Sequence, residues 1–219
     1  ELLVNSINQS SYLNRPFESA HTINRAGWGN SLTRVAFTML LLLVVCGTAM
    51  ADGGVVVKGN VYGGGNAADV GTNATVNITH GMISGSVYGG GFGATTTVTG
   101  NVEVNIGKKE DTTLSGDATI TGDVYGGSAK GKVNATKSGT EGNYSFAATE
   151  EKNTQVNVYS TSSTGIGGDV YGGGRGASAV GTEGQEGYVA PIAADVYGPV
   201  TVTVEGGTAR NVFGCNDLY

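Results

Sequence analysis

The sequence predicts an all-β protein: a parallel β-solenoid (β-helix) of about five irregular coils, preceded by a signal-peptide helix. Three observations support this prediction. A Val-aromatic-Gly-Gly motif recurs along the chain, alternating β-branched segments precede it, and all but three of the 39 glycines follow Ala51. Val, Ile and Thr favour strands, whereas Gly and Asn favour turns. The composition therefore indicates short strands joined by tight corners.

The N-terminal part of the chain differs in composition from the rest. Residues 1–33 are polar, lack a periodic pattern and contain no initiating Met, so we expect an unstructured or mis-assigned extension. Residues 34–51 have the parts of a secretory signal peptide: the positive charge of Arg34, the apolar run Val35–Val45 and the small residues of Ala49–Ala51. We expect cleavage after Ala51 and export to the cell surface or the extracellular space.

Two further expectations concern this leader. The run Val35–Val45 would span about 16 Å as a helix, which is short of a bilayer core of about 30 Å. We therefore expect no stable membrane span in the mature chain. An alternative is lipidation of Cys46, because Leu43–Cys46 resembles a lipoprotein box, although Val45 is a poor fit before the cysteine.

Residues 52–219 form the predicted repeat domain. Its motifs read GNVYGGGN at 59–66, GSVYGGGF at 85–92, GDVYGGSA at 122–129, GDVYGGGR at 168–175 and RNVFGCND at 210–217. Stacked coils would align the aromatic residues in one column, which contains Tyr62, Tyr88, Tyr125, Tyr171 and Phe213. The residues before each Val would form a second column of corner residues: Asn60, Ser86, Asp123, Asp169 and Asn211. The last motif begins a turn without the loop and strand that follow the others, so we expect a domain truncated at the C-terminus.

Each unit begins with an alternating strand, in which every second side chain faces inward. In the segment VTVTV, Val202 and Val204 would face inward and the threonines outward. A second apolar point follows in three units, at Ile83, Ile120 and Ile166. Unequal spacing predicts polar, exposed insertions at 108–115 and 137–153. The competing fold is an antiparallel sandwich, but the chain has no Asn-Gly hairpin signal.

Two glycine-rich segments partly match nucleotide-binding motifs. Gly126 to Lys132 resembles a P-loop, but Val133 replaces the hydroxyl residue that would bind Mg²⁺. The segments beginning at Gly89 and Gly172 fit a dinucleotide fingerprint, which requires a following helix; polar loops follow instead. We expect turns at these positions and no bound cofactor.

Candidate catalytic and metal-binding residues are few. His80 is the single histidine of the predicted mature chain, and we place it at a corner without a cysteine or serine partner. Asp123 and Asp169 could share a Ca²⁺ ion between neighbouring coils, but Asn and Ser fill the rest of their column. We therefore assign no catalytic, cofactor-binding or metal-binding residue and expect no enzymatic activity.

The charge of the chain also limits its partners. The formal net charge is −6, and Lys and Arg do not cluster. Because binding to nucleic acid requires clustered cations that neutralise phosphates, we expect no nucleic-acid partner.

The leader and the segment VYGGGN…TVNITHGMISGSVYGGGFG together resemble the glycine-rich VYGGG repeat proteins of Gram-negative gut bacteria. The resemblance covers about residues 55–215 and implies an exported, adhesin-like β-helix at the cell surface. Tyr side chains beside flat glycine-rich surface can stack on sugars or contact a partner protein, although a packed aromatic column is the commoner arrangement. We expect multivalent contact with host glycans, matrix or other cells; the alternative is a polysaccharide lyase or glycosidase.

Overall fold

The structure is a computed structural model that describes residues 54–218; residues 1–33 and the predicted signal-peptide helix at 34–51 lie outside them. Across the described residues the fold is all-β, without a helix. The strands are β1 Val56–Val57, β2 Val61–Tyr62, β3 Ala74–Ile78, β4 Met82–Ile83, β5 Val87–Tyr88, β6 Thr97–Val98, β7 Val102–Glu110, β8 Thr113–Ser115, β9 Thr119–Ile120, β10 Val124–Tyr125, β11 Lys132–Val133, β12 Ala135–Thr140, β13 Asn143–Ala148, β14 Thr154–Tyr159, β15 Val170–Tyr171, β16 Val200–Val204 and β17 Val212–Phe213. The all-β prediction is confirmed.

Parallel pairing joins strands that are far apart in the chain. The Val-Tyr sheet contains β2, β5, β10, β15 and β17 in this order, and the long sheet contains β3, β7, β14 and β16. A third sheet contains β1, β4 and β9. The register in the first sheet aligns Val with Val and aromatic with aromatic. The column of corner residues predicted from the sequence therefore lies beside strands in parallel register.

The apolar core lies on the inner faces of these sheets. In the long sheet Val76 aligns with Val104, and Val104 aligns with Val156. These three valines belong to one buried cluster, which also contains Ile83, Ile120 and Ile166, the apolar points found in the sequence. Period-two alternation therefore places the β-branched side chains inward, as expected.

The last strand of the long sheet departs from this pattern. Val202 packs against the core, whereas the predicted inward residue Val204 is 43% exposed. Val204 aligns with the buried Val158 and therefore lies on the predicted face, but it is exposed because β16 pairs with β14 on one side only within the described part of the sheet.

One row of strands was absent from the predicted unit. Between each Val-Tyr strand and the next long strand, a short segment of one or two residues pairs in parallel with the equivalent segment of its neighbour. The paired residues include Val70, Val98, Val133 and Val196. These valines pack with Ala74 and Val102 in a second cluster. We call the chain from one Val-Tyr strand to the next a pass. Each pass therefore has an additional corner, which alternating hydrophobicity did not indicate because only one or two residues of each pass take part in the pairing.

The predicted insertions form antiparallel hairpins. Strands β7 and β8 pair through Lys108 and Ser115, and β12 pairs with β13 along its whole length. A third excursion pairs Ala177 with Ile192 in antiparallel orientation. The absence of Asn-Gly did not exclude hairpins, because Gly142, with φ of +83°, turns the second one without an Asn-Gly pair.

Glycine allows close approach of neighbouring passes at the corner after each Val-Tyr strand. A Cβ atom on Gly64 would lie 2.6 Å from the backbone nitrogen of Gly91, and one on Gly127 would lie 2.6 Å from that of Gly174. Because Cβ atoms do not approach backbone this closely, only glycine fits these two positions at the observed spacing.

Candidate functional site: a polar groove on the long sheet

A groove of about 610 Å³ runs over the outer face of β3, β7 and β14. Side chains alternate in direction along a strand, so where the valines face the core, the polar side chains between them face outward. Parallel register then aligns Asn77 with Asn105 and Asn105 with Asn157, and it aligns Glu103 with Gln155. We call this surface the polar groove; it is lined by Asn77, Thr79, Glu103, Asn105, Gly107, Lys108, Lys109, Gln155, Asn157 and Tyr159.

Three asparagines form a hydrogen-bonded ladder along the groove. The Asn105 Nδ2 donates to Asn77 Oδ1 at 2.8 Å, and the Asn157 Nδ2 donates to Asn105 Oδ1 at 2.9 Å. These bonds fix the orientation of the amide groups. Because a primary amide has two N–H donors and two acceptor lone pairs, each amide has further capacity to bind a ligand. We refer to Asn77, Asn105 and Asn157 as the asparagine ladder.

The β7–β8 hairpin supplies charged groups at one end of the groove. Lys109 Nζ contacts the Glu205 carboxylate at 2.6 and 2.8 Å and lies 5.8 Å from the centre of the Tyr159 ring. The hydrogen bond to Glu205 raises the pKa of Lys109 above its ordinary value. Lys108 pairs with Glu110, and this hydrogen bond lowers the pKa of the Glu110 carboxyl.

The chemistry of the groove suits a neutral, hydroxyl-rich ligand. Fixed amides offer donors and acceptors in a row, and Tyr159, which aligns with Gly107 beside that row, offers an aromatic surface. The two lysines are paired with carboxylates, so the groove is not a concentrated positive site. This site was not predicted from the sequence. A signal was present, since each contributing strand has Asn between two β-branched residues, but such alternation is common to half-buried strands.

The predicted aromatic column is present, and it packs against itself. Successive rings from Tyr62 to Phe213 are stacked, with centroids 4.8 to 5.1 Å apart and interplanar angles of 3 to 17°. Tyr88 and Tyr125 are each 1% exposed. The ring faces contact one another. The rings therefore pack within the protein, and their faces are not available along the column for stacking on sugars.

The column's hydroxyl groups bond to polar side chains beside it. The Tyr125 hydroxyl lies 3.2 Å from Asp123 Oδ2 and 3.0 Å from Asp217 Oδ2, within hydrogen-bonding distance of both, and Tyr171 donates to Asp169 at 3.4 Å. Burial and the neighbouring carboxylates raise the pKa of Tyr125, and the same causes raise the pKa of Tyr171 to about 12.

The predicted corner column is also present. The Asn60 side chain accepts from the Ser86 amide, Ser86 from the Asp123 amide and Asp123 from the Asp169 amide. The cationic partner of Asp169 is Arg210, which donates from Nε at 2.8 Å and from Nη2 at 2.7 Å.

One cation, Arg210, lies close to both carboxylates of this corner column. The bonds from Arg210 lower the pKa of Asp169 to about 2. Arg210 Nη2 also lies 3.9 Å from Asp123. The guanidinium thus occupies the place between the two carboxylates that the sequence analysis considered for Ca²⁺.

His80 lies at the corner between β3 and β4, as expected, and the structure gives it a partner. Its Nδ1 lies 2.8 Å from Asp117 Oδ1, and both side chains are about three-quarters exposed. Thr119 lies in the same shallow depression, but its hydroxyl lies within hydrogen-bonding distance of Ser162 and Thr164. This pair was not predicted from the sequence, because Asp117 lies 37 residues further along the chain.

The segments that resembled nucleotide-binding motifs lie in parallel strands and corners. Lys132, in β11, donates to the Ala193 carbonyl and lies 3.4 Å from Asp195, so protein groups occupy its ammonium. Strand β12 follows this segment, and β6 follows the segment that begins at Gly89. No described residue after either segment is helical.

Within residues 54–218, no three His, Cys, Asp or Glu side chains lie close enough to hold a metal ion. No helix in this same part of the chain has the length and apolar character needed to cross a membrane. Comparisons with protein-family models, with curated proteins and with solved structures found no match.

Proposed function

We propose that this chain is an exported β-solenoid that contacts glycans at the cell surface through the polar groove. The observation that carries the proposal is the asparagine ladder, which presents three amide groups of fixed orientation in one row. Amide groups bond to sugar hydroxyls both as donors and as acceptors. Tyr159 adds an aromatic surface of the kind that packs against the apolar face of a sugar ring.

The solenoid part of the proposal is supported by the sheet order. In both large sheets, neighbouring strands come from successive passes of the chain, and each pair is parallel. The same four kinds of position, namely Ile or Val, Val-Tyr, single Val and alternating Val, recur along each pass. Stacked passes would repeat the groove chemistry at the strand spacing of about 4.8 Å. Repetition of weak contacts raises avidity without a strong single site.

Export is supported by the sequence of residues 34–51, which has the order of charge, apolar run and small residues typical of a signal peptide. The resemblance to VYGGG repeat proteins supports the same location. An adhesin-like role at the cell surface would account for both the export signal and the exposed groove.

The test uses the full-length chain on an array of neutral and acidic glycans, followed by calorimetry with any glycan that binds. We expect binding to a neutral polysaccharide, and a loss of at least tenfold in affinity when Asn105→Ala interrupts the ladder. Asn143→Ala is the matched control, because Asn143 is an exposed asparagine in the β12–β13 hairpin, outside the groove. Unchanged affinity of Asn105→Ala, or absence of binding to every glycan, would refute the groove as a glycan site.

A carbohydrate-active enzyme is the second candidate, and one observation favours it. Glu103, Lys108 and Lys109 line the same groove, and lyases and glycosidases require acids and bases together. Both lysines are held by other carboxylates, which leaves Glu103 as the candidate proton-transfer group. Incubation with a polysaccharide panel tests this alternative. Release of reducing ends or unsaturated products, abolished by Glu103→Gln, would favour the enzyme over the adhesin.

A further inference from the structure

Three hydrogen-bonded segments from successive passes build a second pocket, beside the aromatic column. The Ala129 N–H donates to the Gly91 carbonyl at 3.0 Å, and the Gly176 N–H donates to the Ala129 carbonyl at 3.0 Å. The side chains next to these backbone bonds therefore come together, although they are far apart in the sequence. The pocket has a volume of about 330 Å³, and the lining residues that matter below are Phe92, Ala129, Lys130, Arg175 and Ser178.

This pocket lies within the stack of passes and not at either end of it. On one side, the Ala67 N–H donates to the Phe92 carbonyl at 2.7 Å, and on the other side, the Leu218 N–H donates to the Arg175 carbonyl at 3.1 Å. Described chain therefore flanks the segments of Phe92 and Arg175 on both sides. Arg175 and Ser178 are exposed, so the pocket is open to solvent.

A small side chain makes room for the pocket. In three successive motifs, the residues four positions after the tyrosine are Phe92, Ala129 and Arg175. Ala129 packs against the aromatic column and is 6% exposed. Because its side chain ends at Cβ, Arg175 can extend past it to Tyr88, where the Arg175 Nη1 donates to the hydroxyl at 3.4 Å.

Lys130 and Arg175 bring two positive charges to the pocket without a carboxylate partner. The Lys130 ammonium lies 5.5 Å from the centre of the Phe92 ring, which attracts the cation without neutralising it. Burial raises the pKa of Tyr88, so its hydroxyl stays protonated and does not neutralise the guanidinium. Within residues 54–218, neither cation forms an ion pair with Asp or Glu.

Other cations of the described chain do have such a partner. Those that form ion pairs with Asp or Glu are Lys108, Lys109, Lys132, Lys137 and Arg210. The hydrogen bond to Tyr88 and, to a smaller extent, Asp217 raise the pKa of Arg175. The Asp217 carboxylate, however, contacts the Tyr125 hydroxyl at 3.0 Å and forms no ion pair with Arg175. The charge of the pocket is therefore available to an anionic ligand.

The groups around these cations suit a sugar ring that carries a carboxylate. Arginine binds a carboxylate through two parallel N–H donors, and lysine adds a point charge. Phe92 is 40% exposed and offers an apolar surface to the C–H groups of a ring, and the Ser178 hydroxyl can bond to a sugar hydroxyl. The volume is at the lower end of the range of about 300 to 1,000 Å³ for ligand pockets, which suits a single sugar residue.

We propose that this pocket binds a uronic acid residue of an acidic polysaccharide, with the carboxylate between Lys130 and Arg175 and the sugar ring against Phe92. The pocket shares no lining residue with the polar groove. The proposal therefore goes beyond the function proposed above and does not rest on it.

Calorimetry of the full chain with oligogalacturonate tests the charge of the pocket. We expect binding that weakens as salt is added, because salt screens exposed charges. Arg175→Gln and Lys130→Gln should each lower the affinity roughly tenfold, since each removes a hydrogen bond to a charged group. Lys152→Gln is the matched control, because it removes one positive charge at a different depression of the surface. Equal losses in all three variants would show a general effect of net charge and would overturn the proposal.

Three further probes test the class of ligand. The methyl ester of the same oligogalacturonate, which is neutral, should bind at least tenfold more weakly than the acid. A polyglutamate peptide and inorganic phosphate should also bind more weakly, because they lack a sugar ring to contact Phe92. Absence of oligogalacturonate binding, or binding of the peptide or of phosphate with equal affinity, would overturn the assignment to a uronic acid.

The two binding proposals can fail separately. Asn105→Ala should leave the affinity for oligogalacturonate unchanged, and Arg175→Gln should leave binding of a neutral glycan to the polar groove unchanged. Arg175→Lys checks that loss of the charge causes the effect, since it should recover part of the affinity that Arg175→Gln loses. Circular dichroism of each variant measures whether the fold is retained. Equal affinities of folded Arg175→Gln and the unsubstituted chain for oligogalacturonate would refute the site.

Discussion

The aromatic column and the asparagine ladder are both rows of like residues aligned by parallel pairing, yet their surroundings differ. The column's rings stack at 4.8 to 5.1 Å, and its central members Tyr88 and Tyr125 are buried. The ladder's amides bond to one another at 2.8 to 2.9 Å on the outer face of the long sheet, where they line a groove. Register alone therefore does not decide whether a row stabilises the fold or offers a binding surface. Exposure differs within the ladder, since Asn77 is exposed and Asn105 half-buried, whereas Asn157 is buried.

The largest expected effect comes from the centre of the aromatic column. Tyr125→Ala removes a buried ring that stacks on Tyr88 and Tyr171, so we expect a loss of about 3 to 5 kcal/mol in the free energy of unfolding. Phe213→Ala, at the exposed end of the same column, should cost clearly less. Chemical denaturation of both variants measures the difference. Equal losses would show that the column does not act as a buried stack.

The second effect concerns the glycine corners beside that column. Gly127→Ala places a Cβ 2.6 Å from the Gly174 nitrogen, and we expect this overpacking to cost about 1 to 3 kcal/mol. Gly59→Ala is the control, because a Cβ there meets no atom within 4 Å. Denaturation curves of the two variants would contradict the close approach if they coincided.

The third effect is a dependence of stability on pH at the corner column. Arg210 lowers the pKa of Asp169 to about 2, below the value of about 3.9 in an unfolded chain. A lowered pKa means that the folded state favours the ionised carboxylate, so the stabilisation is present above about pH 4 and is lost as the pH falls toward 2. We expect melting temperatures to decrease across this interval, with a smaller decrease in Asp169→Asn. Parallel pH profiles of the two proteins would argue against the ion pair.

The smallest expected effect on stability comes from the asparagine ladder. Asn105→Ala removes two side-chain hydrogen bonds, one to the exposed Asn77 and one to the buried Asn157, so we expect a loss of about 1 kcal/mol in the free energy of unfolding. The fold should therefore persist while glycan affinity decreases. A loss as large as that of Tyr125→Ala would show that the ladder is a structural element and would remove the main reason for calling it a site.

Much of the all-β fold could be predicted because it depends on patterns within single segments. Alternation placed Val76, Val104 and Val156 inward, and the recurrence of Val-Tyr predicted the aromatic column, whose members align in the structure. The exposure of Val204 could not be predicted, since alternation indicates a face of a strand and not whether a neighbouring strand covers that face.

The site was harder to predict because it depends on neighbours from different passes. Asn105 contacts residues 28 and 52 positions away in the chain, and Lys109 meets Glu205 96 positions away. The insertions differ in length, so the sequence did not indicate which residue of one pass lies beside which residue of the next. The His80–Asp117 pair was missed for the same reason.

The chain leaves the parallel sheets in three places: the β7–β8 hairpin, the β12–β13 hairpin and the excursion near Ala177. After each of them it returns to the same parallel register. Neighbouring passes on either side still align residue for residue, although the passes differ in length. Evolution can therefore lengthen, shorten or exchange these segments while the columns beneath them keep their composition.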